Sequence, residues 1–182
     1  MRVIAGCARG RKLIAPDGLN IRPTTDRMKE NLFNILAAHI PGARFLDVFS
    51  GTGSIGIEAL SRGAESAVFV DAASAFLIRQ NLSLTGLTER ALVLKYDYAA
   101  ALRKLNEKHM IFDIIFMDPP YNKGFVPQAA KLINELPLLS RQGLLVVETS
   151  ATDEILPHIN YMSLYKVKRY STSVFFFFQR EI

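Results

Sequence analysis

The residues of this 182-residue chain with the most pointed chemistry are Asp118-Pro119-Pro120-Tyr121, directly after the apolar run Phe112–Met117. Two prolines fix φ and carry no N–H, so the step presents acceptors in a set arrangement. The Asp118 carboxylate and the Pro119 carbonyl suit the two N–H hydrogens of an exocyclic amine on a planar base. Held that way, a lone pair otherwise delocalised into the ring is aimed at an electrophilic methyl carbon. Tyr121 offers a flat face for the base, worth roughly 1–3 kcal/mol of stacking. Alignment, more than acid–base work, supplies the rate of such a transfer. The plainer reading of the tetrapeptide is a rigid turn closing a strand.

A second constellation lies upstream. Gly51, Gly53 and Gly56 form G-x-G-x-x-G between the apolar run Phe45–Phe49 and a helical pattern, alone a weak signal. Asp71 closes the next apolar run, where a carboxylate can accept hydrogen bonds from a ribose diol. Asp47, four positions ahead of Gly51, discriminates between ligands. A dinucleotide would set its pyrophosphate at this turn and helix start, and a buried carboxylate would repel it. S-adenosylmethionine brings an ammonium and a sulfonium but no phosphate, and an acid there complements it. Ser50 in the loop, Asp97 after the third run (for the adenine amino group or a nearby water) and Asp118 complete the candidate cofactor contacts. The plain alternative for Asp47 and Asp97 is that they cap or cross-link loops.

These residues need a scaffold, and the hydrophobic pattern supplies one. Apolar runs at Arg44–Phe49, Ser66–Asp71, Leu92–Tyr96, Phe112–Asp118 and Gly143–Glu148 predict strands. Helical periods around Ile55–Ser61, Ala73–Leu84, Ala99–Lys108 and Val126–Leu136 separate them. That alternation predicts an α/β, doubly wound, mostly parallel sheet covered on both faces. Ser163–Tyr170 and Ser173–Gln179 leave no room for a crossover helix and predict an antiparallel edge hairpin, with Val174–Phe178 as core. Met1–Ala15 reads as two short strands around Gly6 and Gly10. Thr25 or Asp26 can cap a helix from Arg27 to His39, ended by Pro41-Gly42. The expected organisation is a basic extension over 1–43, a hairpin plus helix packed on a catalytic domain over 44–182.

Composition narrows the function classes. The chain is 49% hydrophobic and 21% charged, with one cysteine, Cys7, and three scattered histidines. Such a balance fits a globular domain. A disulfide framework or a multi-cysteine metal site is excluded, and no metal is expected. No apolar run approaches a bilayer span and no signal-peptide core follows the first charge, so a cytoplasmic location away from membranes is expected. The net charge of +5 equals that of residues 1–44, which hold eight bases against three acids. Arg9, Arg11, Lys12 and Arg22 are therefore candidate phosphate contacts. Lys29 and Arg44 are either further contacts or ordinary surface charges. About four contacts would make log affinity fall with log salt at a slope of roughly −3 to −4.

Together these segments resemble class I S-adenosylmethionine-dependent methyltransferases carrying an amino-methylating D-P-P-Y motif. More closely, they resemble the RsmD-type family of bacterial 16S rRNA guanine-N2 methyltransferases. Arg9–Leu13, Arg22–Arg27, Leu32–Asn34, Asp47–Ser54, Gly56–Ala59 and Asp118–Tyr121 carry the likeness. It implies a seven-stranded sheet ordered 3-2-1-4-5-7-6, S-adenosylmethionine as methyl donor and S-adenosylhomocysteine as product. It further implies a guanine N2 in 16S rRNA as target, on assembled small ribosomal subunits in preference to naked RNA, by a protein taken to be a monomer. Asp71 stands where the family has Glu, and Ser171-Thr172-Ser173 where it often has Gly-Asp-Thr. The target base must leave its stack to reach Tyr121. Alternatives are an exocyclic amine elsewhere, such as adenine N6 on another RNA or on DNA, and a non-catalytic rRNA-binding or assembly module. A protein-glutamine methyltransferase prefers Asn at position 118, and Asp47 disfavours a nicotinamide oxidoreductase.

Overall fold

The seven apolar runs become seven strands of one sheet. The computed structural model describes residues 1–15, 26–120, 125–152, 159 and 162–180. In chain order the elements are α1 (Asp26–Ile35), β1 (Arg44–Val48), α2 (Ser54–Ser61), β2 (Ser66–Val70), α3 (Ala75–Thr85), β3 (Ala91–Leu94) and α4 (Tyr98–Glu107). They continue with β4 (Phe112–Met117), α5 (Phe125–Glu135), β5 (Leu139–Ser150), β6 (Met162–Arg169) and β7 (Ser173–Arg180). The strand order is β3-β2-β1-β4-β5-β7-β6. Strands β1 to β5 pair in parallel, and β7 runs antiparallel to both β5 and β6. The strand order turns back on itself between β1 and β4, which opens a crevice at their carboxyl ends.

Phe175 and Phe177 pack with Leu32, Phe33, Ile57 and Phe116 on one face, and Phe176 and Phe178 with Ala101, Leu105 and Ile133 on the other. An interior strand covered on both sides needs apolar residues at every position, which explains the four consecutive phenylalanines. Each one buried contributes about 1.5–3 kcal/mol.

Three sequence expectations shift. β5 starts at Leu139, before Gly143. α1 stops at Ile35, and the His39 N–H turns back to the Leu36 carbonyl (2.8 Å). The two amino-terminal strands shrink to a single bridge between Arg2 and Lys12, with Val3 N–H donating to the Arg11 carbonyl (3.0 Å). That segment spends its backbone groups on α2 instead. Ile4 and Ala5 N–H donate to the Glu58 carboxylate (2.8 and 3.0 Å), and Ala8 N–H to Ser61 Oγ (3.0 Å). Cys7 N–H meets the Ser61 carbonyl, one of the acceptors a helix leaves open at its end. The approach is so close at Gly6 (φ +86°) that a Cβ would lie 1.8 Å from that carbonyl oxygen.

Lys29 is neither a surface charge nor a phosphate contact. It is 1% exposed, donates to the Arg2 carbonyl (2.6 Å) and pairs with Glu58 (3.3 Å). Burial pulls its pKa down, against the opposing pull of Glu58. Arg44 is half-buried and clamps the starts of β1 and β4 through Asp113 (3.0 Å).

Candidate active site

The site is built at the carboxyl edge of the sheet from three neighbouring strands. Asp47 lies opposite Phe116, and Val48 opposite Met117. Asp118 follows Met117, with its N–H directed at the Val48 carbonyl (3.5 Å). Val147 pairs with Met117, so Glu148 sits beside Asp118 in register. Residues two apart on a strand share a face. Asp47, Asp118 and Glu148 therefore all belong to the face that packs against α2.

Three carboxyl groups at one edge repel one another, and burial withholds the water that would screen them. Asp47 is 1% exposed and its pKa is pushed up to about 7. Loss of water is the main cause, opposed by the Gly56 N–H that donates to its Oδ2 (2.9 Å) and reinforced by the charge of Asp71. Asp118 is held well above the usual carboxylate range by desolvation, then by the charges of Glu148 and Asp47.

The glycine turn is fixed from both sides. Asp71 Oδ2 accepts from Gly51 N–H (2.9 Å), while its Oδ1 accepts from Ala73 and Ser74 N–H (2.9 and 2.7 Å). The carboxylate thus ties the turn to the start of α3 and keeps lone pairs for a diol. Ser50 donates its hydroxyl to the Asp47 carbonyl (2.6 Å) and accepts from Val70 N–H (2.9 Å), welding the ends of β1 and β2. Gly53 N–H closes the turn on the Ser50 carbonyl (2.7 Å). At Gly56 a Cβ would lie 2.4 Å from the Phe69 ring, so only glycine lets α2 sit this close to β2. Asp97 caps α4, its Oδ1 accepting from Ala100 N–H (3.0 Å).

An aromatic group stands at the same edge of the sheet, Phe49 and Tyr98 packing against the core of the face opposite α2. Phe49 holds φ +63°, a costly conformation for a residue with a Cβ. Its ring lies 5.1 Å from Tyr98 and 6.0 Å from Phe125 between centroids. Tyr98 donates its hydroxyl to Gln128 Oε1 (3.0 Å). Sequence reasoning missed this trio, and it missed Glu148. The signals present were the position of Phe49 and Tyr98 directly behind the strand-end segments that carry Asp47 and Asp97, and that of Glu148 at a strand end.

The structure brings Asp47, Ser50, Gly51, Gly53, Asp71 and Asp118 to one crevice, with Pro119 buried and Pro120 exposed beside them. Tyr121 and Arg22 lie outside the described residues. Arg9, Arg11 and Lys12 are exposed, and the hairpin tip that carries Arg9 and Arg11 lies away from the crevice. The segment after Lys12 returns toward the glycine turn, Ile14 N–H donating to the Asn81 side chain, which donates to the Thr52 carbonyl (2.8 and 2.9 Å). Arg11 donates to the Leu84 carbonyl near the end of α3 (2.7 Å), and Cys7 meets the end of α2. Both helices run back from the glycine turn, and the eight residues of α2 alone span about 12 Å.

Among the described residues, no group of His, Cys, Asp or Glu could hold a metal ion and no helix is long and apolar enough to cross a membrane. The chemistry of the donor set fits S-adenosylmethionine. Buried carboxyls with raised pKa are stabilised in their charged form by an incoming cation and destabilised by a pyrophosphate.

Comparison with known proteins agrees with this reading. The Escherichia coli protein named "Ribosomal RNA small subunit methyltransferase D" is 34% identical over 100% of this chain and 90% of its own length. A solved structure of a provisionally assigned methyltransferase from Escherichia coli, YhhF, superposes with a TM-score of 0.87 at 35% identity, covering 100% of this chain and 98% of that one. A further provisionally assigned methyltransferase, solved in complex with SAH, shares the fold at a TM-score of 0.67 and 19% identity, covering 85% of this chain and 48% of that one. Residues 1–179 match the family described as "Conserved hypothetical protein 95", and the chain, an α/β protein with the class I methyltransferase fold, belongs to that family.

Proposed function

We propose that this protein transfers a methyl group from S-adenosylmethionine to the exocyclic N2 of a guanine in 16S rRNA, on assembled small ribosomal subunits. The observation that carries the reading is the convergence of Asp47, Asp118 and Glu148 at the crevice, beside a proline-fixed acceptor turn. The names of its relatives supply the nucleic-acid class.

In this mechanism Asp47 would hold the ammonium of the donor, Asp71 its ribose diol and Asp97 its adenine edge. Ser50, Gly51 and Gly53 shape the turn around it. When bound, S-adenosylmethionine supplies an electrophilic methyl group on a sulfonium. Asp118 and the Pro119 carbonyl accept the two N–H hydrogens of the target amine and set its lone pair in line. Pro120 stiffens the turn, and Tyr121 stacks on the base. Formation of the C–N bond would be matched by cleavage of the sulfonium S–CH3 bond, the neutral thioether of S-adenosylhomocysteine leaving. The Asp118 carboxylate with its raised pKa is placed to take the proton the nitrogen would lose.

The test uses purified protein, radiolabelled S-adenosylmethionine, small subunits lacking native modification and, in parallel, free 16S rRNA. Nucleoside analysis should give N2-methylguanosine, mainly from subunits. A different methylated nucleoside, or label only on free RNA or DNA, would replace the target while keeping the fold and donor.

A further inference from the structure

A cationic hollow lies outside the crevice and outside the amino-terminal arm. Strand β6 is the last of the sheet, and every residue from Ser163 to Arg169 is exposed. Its Lys166 and Lys168 pair with Phe177 and Phe175, which places them on the α1 side of the sheet. Between β6 and α1 run two adjoining hollows of about 450 and 360 Å³ that share Asn31 and Lys168. Arg27 and Thr172 line the first, together with Arg169 at the strand end, whose partner Val174 faces the other side of the sheet, and Lys166 lines the second. Four cations line this groove, and among the described residues no carboxylate does. None of the four forms an ion pair among the described residues.

The groove begins where the chemistry is. β6 runs parallel to β5, so Arg169 lies at the carboxyl edge of the sheet. There the Thr172 carbonyl accepts from Ala151 N–H (3.1 Å), three residues beyond Glu148. A polyanion leaving the crevice would meet Arg169 and Arg27 first, then Lys168, then Lys166. At about 3.3 Å per residue, Lys166 to Arg169 covers ~10 Å of path. The competing explanation is that lysines on an edge strand only prevent sheet-to-sheet pairing.

Resting on the reading above that RNA is the substrate, we propose that the α1–β6 groove holds the phosphate backbone of the single-stranded RNA segment flanking the target base. Arg27, Lys166, Lys168 and Arg169 neutralise phosphates, and Asn31 and Thr172 offer hydrogen bonds to sugars. This surface, whose Tyr170–Thr172 end lies beside the strand end that carries Glu148, steers the base to Asp118.

The test compares wild type, the groove variant Lys166→Ala/Lys168→Ala/Arg169→Ala and the arm variant Arg9→Ala/Lys12→Ala. Methyl transfer to unmodified small subunits and binding of fluorescein-labelled oligouridylate are measured across salt concentration, with S-adenosylmethionine affinity as the control for folding. The groove variant should raise KM for subunits about tenfold or more. It should also flatten the log–log salt slope for oligouridylate by about 2, since each phosphate of a single strand that goes unneutralised lowers the slope by about 0.7. The arm variant should change both by less. An active wild type with unaltered KM and slope in the groove variant would overturn the groove alone, and self-association of that variant would favour the edge-protection role. A wild type that methylates no RNA would overturn the functional reading and the groove with it.

Discussion

At neutral pH the Asp47 carboxyl of the ligand-free protein is about half ionised, because burial has lifted its pKa to about 7. An acid whose folded pKa is raised stabilises the fold while protonated, and that contribution is lost as pH climbs from the unfolded value near 4 through about 7. Asp118 is shifted in the same direction. Asp47→Asn should therefore make the ligand-free protein more stable than wild type at pH 8, by up to about 4 kcal/mol for three pK units, and leave it nearly unchanged at pH 4. Thermal melts at the two pH values check this, and an Asn variant less stable than wild type at pH 8 would refute it. The same substitution should abolish S-adenosylmethionine binding by calorimetry, and wild-type affinity should weaken as pH falls below 7. Asp47 and Asp118 were legible in sequence because each flanks a motif with its own backbone constraint. Glu148 was not: it reads as the last residue of an apolar run, and only the β4–β5 register places it beside Asp118.

Elements here are joined by a buried ionic cluster that no local pattern announces. Glu58 of α2 is fully buried and holds Lys29 of α1, Arg62 (2.8 Å) and the N–H groups of Ile4 and Ala5. One carboxylate thus anchors the extension and α1 to the helix that carries the glycine turn. Glu58→Ala strands Lys29 without its counter-charge and frees two backbone donors. A loss of about 3–5 kcal/mol in chemical denaturation is expected, with Ile4 and Ala5 among the amides whose hydrogen exchange accelerates most. Unchanged protection at those amides would contradict the anchoring role. The strands and helices themselves were readable from periodicity to within a few residues. The two amino-terminal strands were not, because Glu58 and Ser61 compete for the backbone groups a hairpin would have used.

For the molecule as a whole, charge along the chain and charge in space differ. All of the net +5 falls within residues 1–44, which reads as a basic arm. The fold spends much of it internally. Arg2 pairs with Asp26, Lys29 with Glu58 and Arg44 with Asp113, while Arg11 closes on α3. The formally neutral remainder contributes Lys166, Lys168 and Arg169 to one groove, because a strand at the sheet edge keeps its long side chains in solvent while its acids lie elsewhere. No count of charges by segment reveals that separation. The sheet order, by contrast, was implied by the family resemblance alone; the alternation of apolar and helical segments pointed only to a parallel sheet covered on both faces.

Asp118 holds the target amine in the proposed mechanism, and of its two expected roles the contact with the methyl donor is the lesser, since Asp47 and Asp71 hold that molecule as well. Single-turnover methyl transfer to unmodified small subunits by Asp118→Ala, alongside its affinity for S-adenosylmethionine, tests this most directly. Removing a desolvated carboxyl from beside Glu148 and Asp47 relieves repulsion, so the variant should fold. Transfer should fall by about a hundredfold or more while donor affinity changes only a few-fold. Transfer that persists near the wild-type rate, or a loss explained entirely by failure to bind the donor, would contradict the assignment.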